Sequence, residues 1–79
     1  MTKGEFVKKI EEALDFVSFK VGNRGYTILN WPEETVIGEW NKPETEKSYS
    51  SIAQMMDNYI IDGGVLSEQL GKIRITQMS

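Results

Sequence analysis

Val17–Trp31 reads VSFKVGNRGYTILNW, two β-like patterns on either side of a turn. Val17, Phe19 and Val21 alternate with Ser18 and Lys20, the two-residue period of a strand that buries one face. Gly22-Asn23-Arg24-Gly25 supplies the glycine and asparagine that tolerate the positive φ of a tight hairpin. Tyr26-Thr27-Ile28-Leu29-Asn30-Trp31 is β-branched and aromatic, so a second strand is expected to run back beside the first. Pro32-Glu33-Glu34 interrupts it, because proline has no N–H to give a ladder. Thr35-Val36-Ile37-Gly38-Glu39-Trp40 then reads as a third strand. Three strands joined by two short turns form an antiparallel meander, which needs an apolar cover on one face.

Helices before and after the meander are the expected cover. Thr2 and Glu5 have the capping-box spacing, and Phe6, Ile10 and Leu14 recur every four residues, widened by Val7, Ala13 and Val17. Lys3, Lys8, Lys9, Glu11, Glu12 and Asp15 fill the other side. Beyond the meander, Asn41–Lys47 reads as a polar loop around Pro43. Ser50 then caps a second helix whose apolar side is Ile52, Met55, Met56, Tyr59 and Ile60, with at least one methionine in the core. Leu66, Leu70 and Ile73 have the spacing of a short third helix, and the tail Arg74–Ser79 can extend, pair with the sheet or fray. The fold class expected is α+β in one domain over 1–79: an N-terminal helix, a three-stranded antiparallel meander, a second helix and a short third, packed mainly on one sheet face.

A chain of 79 residues without cysteine cannot use disulfides, and without histidine it lacks the commonest general base and metal ligand. Its stability must come from an apolar core, which a 39% hydrophobic share can supply. The net charge is −3, and its distribution is uneven: Glu33–Glu46 holds five acids against Lys42 alone. Such a segment repels phosphate, so nucleic acid is disfavoured as a partner. No apolar run is long enough to span a membrane and the N-terminus lacks a signal-peptide core, so a cytoplasmic protein is expected.

The stretch Asp57–Glu68, DNYIIDGGVLSE, has acids at positions 1 and 12 of a calcium loop. Positions 3 and 5 are Tyr59 and Ile61 and position 6 is Asp62, so the oxygen ligands and the turn glycine are missing. Its glycines lack the lysine and spacing of a phosphate loop. The structural reading is a helix that stops in a left-handed Gly63, with Gly64 returning Leu66 and Leu70 to the core. Adjacent acids elsewhere point apart on strands and turns, so no catalytic pair, cofactor or metal is expected and the chain is read as no enzyme. Trp31 and Trp40 flank the acidic turn; they can pack on the sheet, the preferred reading, or stand exposed as a platform. By strand period, Trp31 falls opposite Tyr26 and Ile28, and Trp40 sides with Val36 against Ile37. The expected partner-binding set is Trp31, Glu33, Glu34, Ile37, Glu39 and Trp40, meeting another protein or a second copy.

The segment YSSIAQMMDNYIIDGGVLSEQL resembles small uncharacterised phage and prophage proteins of low-GC Gram-positive bacteria. In that group an aromatic and a serine open a helix, an NY-I-DG turn closes it, and a leucine-bearing segment follows; Gly64 here stands where a longer polar residue is frequent. The resemblance implies a compact α+β fold and a mobile-element origin, and supplies no catalytic residues. The order helix, three strands, helix is also similar to the double-stranded RNA-binding domain. That family grips phosphates with a lysine cluster opening its last helix, where this chain has Lys47 beside Glu44 and Glu46.

Overall fold

The computed structural model describes all residues, 1–79. It is α+β, with two helices and a five-stranded antiparallel sheet. The elements run α1 (Lys3–Glu12), β1 (Phe16–Val21), β2 (Arg24–Asn30), β3 (Thr35–Glu39), β4 (Lys42–Tyr49), α2 (Ile52–Asn58), β5 (Ile60–Ile61), β6 (Gly64–Val65) and β7 (Ile73–Met78). The large sheet has the order β4-β3-β2-β1-β7, and β5 and β6 form a separate small hairpin.

The meander forms as the alternation dictates. Val17 pairs with Ile28 and Phe19 with Tyr26, and Ile28 pairs in turn with Ile37, so one face is a continuous apolar layer. The β1–β2 turn needs only Gly22 and Asn23, with Gly22 at φ +62°, while Arg24 and Gly25 already belong to β2.

Both helices cover the same face, and Phe6 and Ile10 of α1 share one buried cluster with Met55 and Met56 of α2. The α1 cap is a full capping box: Thr2 Oγ1 accepts from the Glu5 N–H at 3.2 Å and Glu5 Oε1 accepts from the Thr2 N–H at 3.1 Å. Hydrogen bonding to the carboxyl from the Thr2 backbone N–H, and then from the Thr2 side chain, holds Glu5 below its ordinary pKa. The helix ends at Glu12, before the expected Leu14, which is 90% exposed in the turn to β1. The α2 cap is Ser51 rather than Ser50, its side chain accepting from the Gln54 N–H at 3.1 Å.

Two expectations are corrected, and the tail takes one of the three courses open to it. Asn41–Lys47 is no loop: Asn41, at φ +62°, closes a two-residue turn and Lys42–Tyr49 is the edge strand β4. Only Thr45 and Tyr49 of that strand are even half-buried, so it lacks the apolar alternation that marks a strand in sequence. β4 also breaks the likeness to the RNA-binding domain, since it intervenes between the third strand and α2. Leu66–Ile73 is no helix but two single 3₁₀ turns, Leu66–Glu68 and Leu70–Lys72. A stretch that short, broken by Gly71, holds too few residues to repay helix nucleation. The tail is β7, which pairs with β1 and packs Ile73 and Ile75 onto the core. The meander is therefore the centre of a wider sheet.

Gly63 is left-handed as expected, at φ +82°, but in a different place. α2 stops earlier, at Asn58, and Asp62 and Gly63 are the two positive-φ residues of the β5–β6 turn. Asp57 and Asp62, the first two acids of that stretch, are engaged apart from each other, with Lys3 at 3.1 Å and Arg24 at 2.6 Å.

Candidate functional site

The sheet has one face packed under α1 and α2 and one with no element over it. Strand period assigns Ser18 and Lys20 of β1, Gly25, Thr27 and Leu29 of β2, and Val36 and Gly38 of β3 to the open face. Ser48 and Glu46 of β4 and Arg74 and Gln77 of β7 complete it.

Trp40, directly after β3, lies on this face and is 39% exposed. Its backbone N–H donates to the Gly25 carbonyl at 2.8 Å, and its ring lies against Gly25 itself, where any Cβ would overlap the indole. The indole Nε1–H donates to Thr27 Oγ1 at 2.9 Å, and that oxygen also lies 2.9 Å from Ser18 Oγ. The Lys20 ammonium stands 5.8 Å from the ring centroid. The tryptophan is thus held in one orientation with its polar atom satisfied. Thr27, Leu29, Val36, Gly38 and Glu46 continue from it as a shallow hollow. Gly25→Ala is expected to expel the ring, costing about 1–3 kcal/mol of stability and red-shifting the tryptophan emission. An unchanged denaturation midpoint and spectrum would count against the packing described.

The expected partner-binding residues do not form one group. Trp31, 53% exposed, opens a hairpin in which its N–H donates to the Glu34 carbonyl at 2.9 Å. Glu33 is exposed in that hairpin, and Glu34 accepts from Ser48 Oγ at 2.8 Å, which draws it to the open face. Trp40 lies at the other end of β3, about 20 Å away along the strand. Ile37 is fully buried in the core and is withdrawn as a contact residue. Glu39 faces the helix side, where it pairs with Lys42 at 3.2 Å. The preferred reading of the tryptophans holds in part: Trp40 packs on the sheet at Gly25 yet is 39% exposed, and Trp31 is 53% exposed, so neither belongs to the core.

A second hollow went unread in the sequence. Tyr26, Tyr49 and Tyr59 meet on the helix side with Arg24, Glu39 and Asn58 around a space of about 270 Å³. Its parts come from separate elements, one of them the unexpected β4, so no local motif announces it. Burial raises the phenol pKa of all three tyrosines, so they stay protonated at neutral pH. Their folded-state values lie above the unfolded value of 10.0, so the stability they contribute is complete below that pH and is lost as pH rises through the folded values. Tyr59→Phe should therefore flatten the fall in melting temperature as pH rises above the unfolded value of 10.0. An equally steep fall in the variant would remove Tyr59 from that account.

Fold and surface together define a small α+β domain with an open-faced antiparallel sheet. Comparison with protein-family models, with curated proteins and with solved structures found no match. No helix is long and apolar enough to cross a membrane.

Proposed function

We propose that this chain is a non-enzymatic protein-binding module that works through the uncovered face of its sheet. The observation that carries the reading is Trp40, an exposed aromatic fixed by Gly25 and Thr27 beside Leu29 and Val36. A ring immobilised before binding loses little entropy on contact, which is what makes tryptophan an effective anchor. Trp31 and the acids of its hairpin form the far rim of the same surface. A phage or prophage origin and a cytoplasmic setting belong to the proposal, the first resting on the likeness of Tyr49–Leu70 to that group and the second on the absence of cysteine.

The test is photocrosslinking in host extract, with a benzophenone side chain in place of Gln77 on the open face or Lys9 on α1. Adducts to a discrete protein from the first position alone are expected. Equal labelling from both positions, or none from either, would remove the reading.

One observation favours a nucleic-acid reading: Lys20, Lys72 and Arg74 line a single hollow with Gly22 and Asn23 and no carboxylate. A salt-sensitive shift of single-stranded oligonucleotide that Arg74→Glu abolishes would support it, and no shift at low salt would end it.

A further inference from the structure

We infer that the occupant of the open face is a second copy of this chain, packed face to face about a two-fold axis running along β2. The inference rests on the reading of that face as an interaction surface and adds what covers it.

The argument is the distribution of charge. β2 is the middle strand, with β1 and β7 on one side and β3 and β4 on the other. On the open face the first pair of strands carries Lys20 and Arg74, which are direct register neighbours. The second pair carries Glu46 on β4 and, through its bond to Ser48, Glu34. None of these four belongs to any of the chain's three ion pairs. Like charges side by side in a ladder are unfavourable, so Lys20 and Arg74 weaken the isolated protomer.

A two-fold rotation along β2 exchanges β1 with β3 and β7 with β4. The basic side of each copy then lies towards Glu46 of the other, twice, as a self-complementary interface requires, while Glu34, at the level of Ser48 and Val36, stays at the rim. Arg74 comes over the partner's Glu46 and Lys20 over the partner's Trp40. Glu46 lies beside Gly38, about 7 Å along the strand from the level of Lys20 and Arg74. An arginine side chain spans much of that offset, and the twist between aligned sheets supplies the rest. An acidic peptide or a nucleic acid would satisfy the basic side but meet Glu34 and Glu46 on the other. Apolar contact comes mainly from Trp40 and the half-buried Leu29, Val36 being 7% exposed beneath them. Five strands about 4.8 Å apart and about 20 Å long offer roughly 480 Å² per copy, or about 960 Å² in all, below the range of stable interfaces and within that of weak, transient ones. The dimer is accordingly weak and populated only at high concentration.

Sedimentation equilibrium of the full chain at about 10 μM and about 1 mM tests this. The mass is expected near 9.0 kDa at the lower concentration and to approach twice that at the higher. E46R and R74E, both at exposed strand positions, should each weaken association at least tenfold with melting temperatures near the parent's. An equimolar mixture of the two should associate again, since each variant supplies the charge the other lacks. Monomer at 1 mM, single variants that associate like the parent, or a mixture that stays monomeric overturns the inference. If the open-face crosslink to another protein persists while the chain stays monomeric, only the second copy falls. If both fail, the reading of the face falls with it.

Discussion

Phe19→Ala is expected to cost about 3–5 kcal/mol, a large part of what a domain of this size has to lose. Phe19 is fully buried at the middle of β1, the strand paired on both sides, by β2 and β7. Its ring meets Phe6 of α1 edge-on at 5.6 Å and stacks on Tyr26 of β2 at 5.3 Å. Tyr26 then meets Tyr59, at the end of α2, edge-on at 6.2 Å. One side chain therefore joins the first helix to the aromatic chain that leads to the second. Removing it leaves a cavity whose walls belong to elements that cannot collapse together without breaking strand pairing. Urea denaturation followed by circular dichroism measures the loss. A decrease below about 1 kcal/mol would mean the aromatic chain is not what holds the helices to the sheet.

Gly63→Val is expected to cost about 2–3 kcal/mol, and through the backbone alone. A Cβ on Gly63 would meet nothing within 4 Å, so crowding has no part in it. The difficulty is φ +82° beside Asp62 at φ +53°, a pair of left-handed residues in a two-residue turn. A β-branched side chain is a genuine outlier in that region. The turn also carries more than itself. It sets Ile60 opposite Val65, and the core residues Ile61 and Leu66 lie on its two arms. The Leu66 N–H donates to the Tyr59 carbonyl at 2.8 Å, and Asp62 ties the turn to Arg24 of β2. Gly63→Asn, which tolerates the left-handed region, should lose less than half as much. Equal losses for the two variants would refute a conformational origin.

The meander was legible because its signals are local and agree: alternation in Val17–Val21, glycine at Gly22, proline after Trp31. The capping box at Thr2 and Glu5 was legible for the same reason. β4 was not, because KPETEKSY is polar on both faces, as suits an edge that must not recruit other strands. β7 was illegible for a different reason. IRITQM alternates only weakly, and its pairing with β1 is decided by residues more than fifty positions away. The candidate surface was half legible. Strand period placed Trp40 with Val36 and therefore Glu39 with the buried Ile37, but nothing in the sequence announced the Ser48 bond that holds Glu34 at the open face, because Ser48 lies on the unread β4.

The order β4-β3-β2-β1-β7 has a kinetic meaning. β1 through β4 can zip together from neighbouring hairpins, each closing a turn of a few residues. β7 joins only by bringing Met78 to Val17 across the whole intervening chain. Until it does, β1 presents an unpaired edge bearing Val17, Phe19 and Val21, the arrangement most prone to recruit a neighbour's strand. Closing so long a loop adds modest entropy but slows the search, so arrival of β7 is expected to be the slow step, and truncating or weakening β7 should be read in the folding rate by stopped-flow fluorescence. The C-terminal strand works as a latch, and the interval before it engages is when the nascent molecule is most exposed to aggregation.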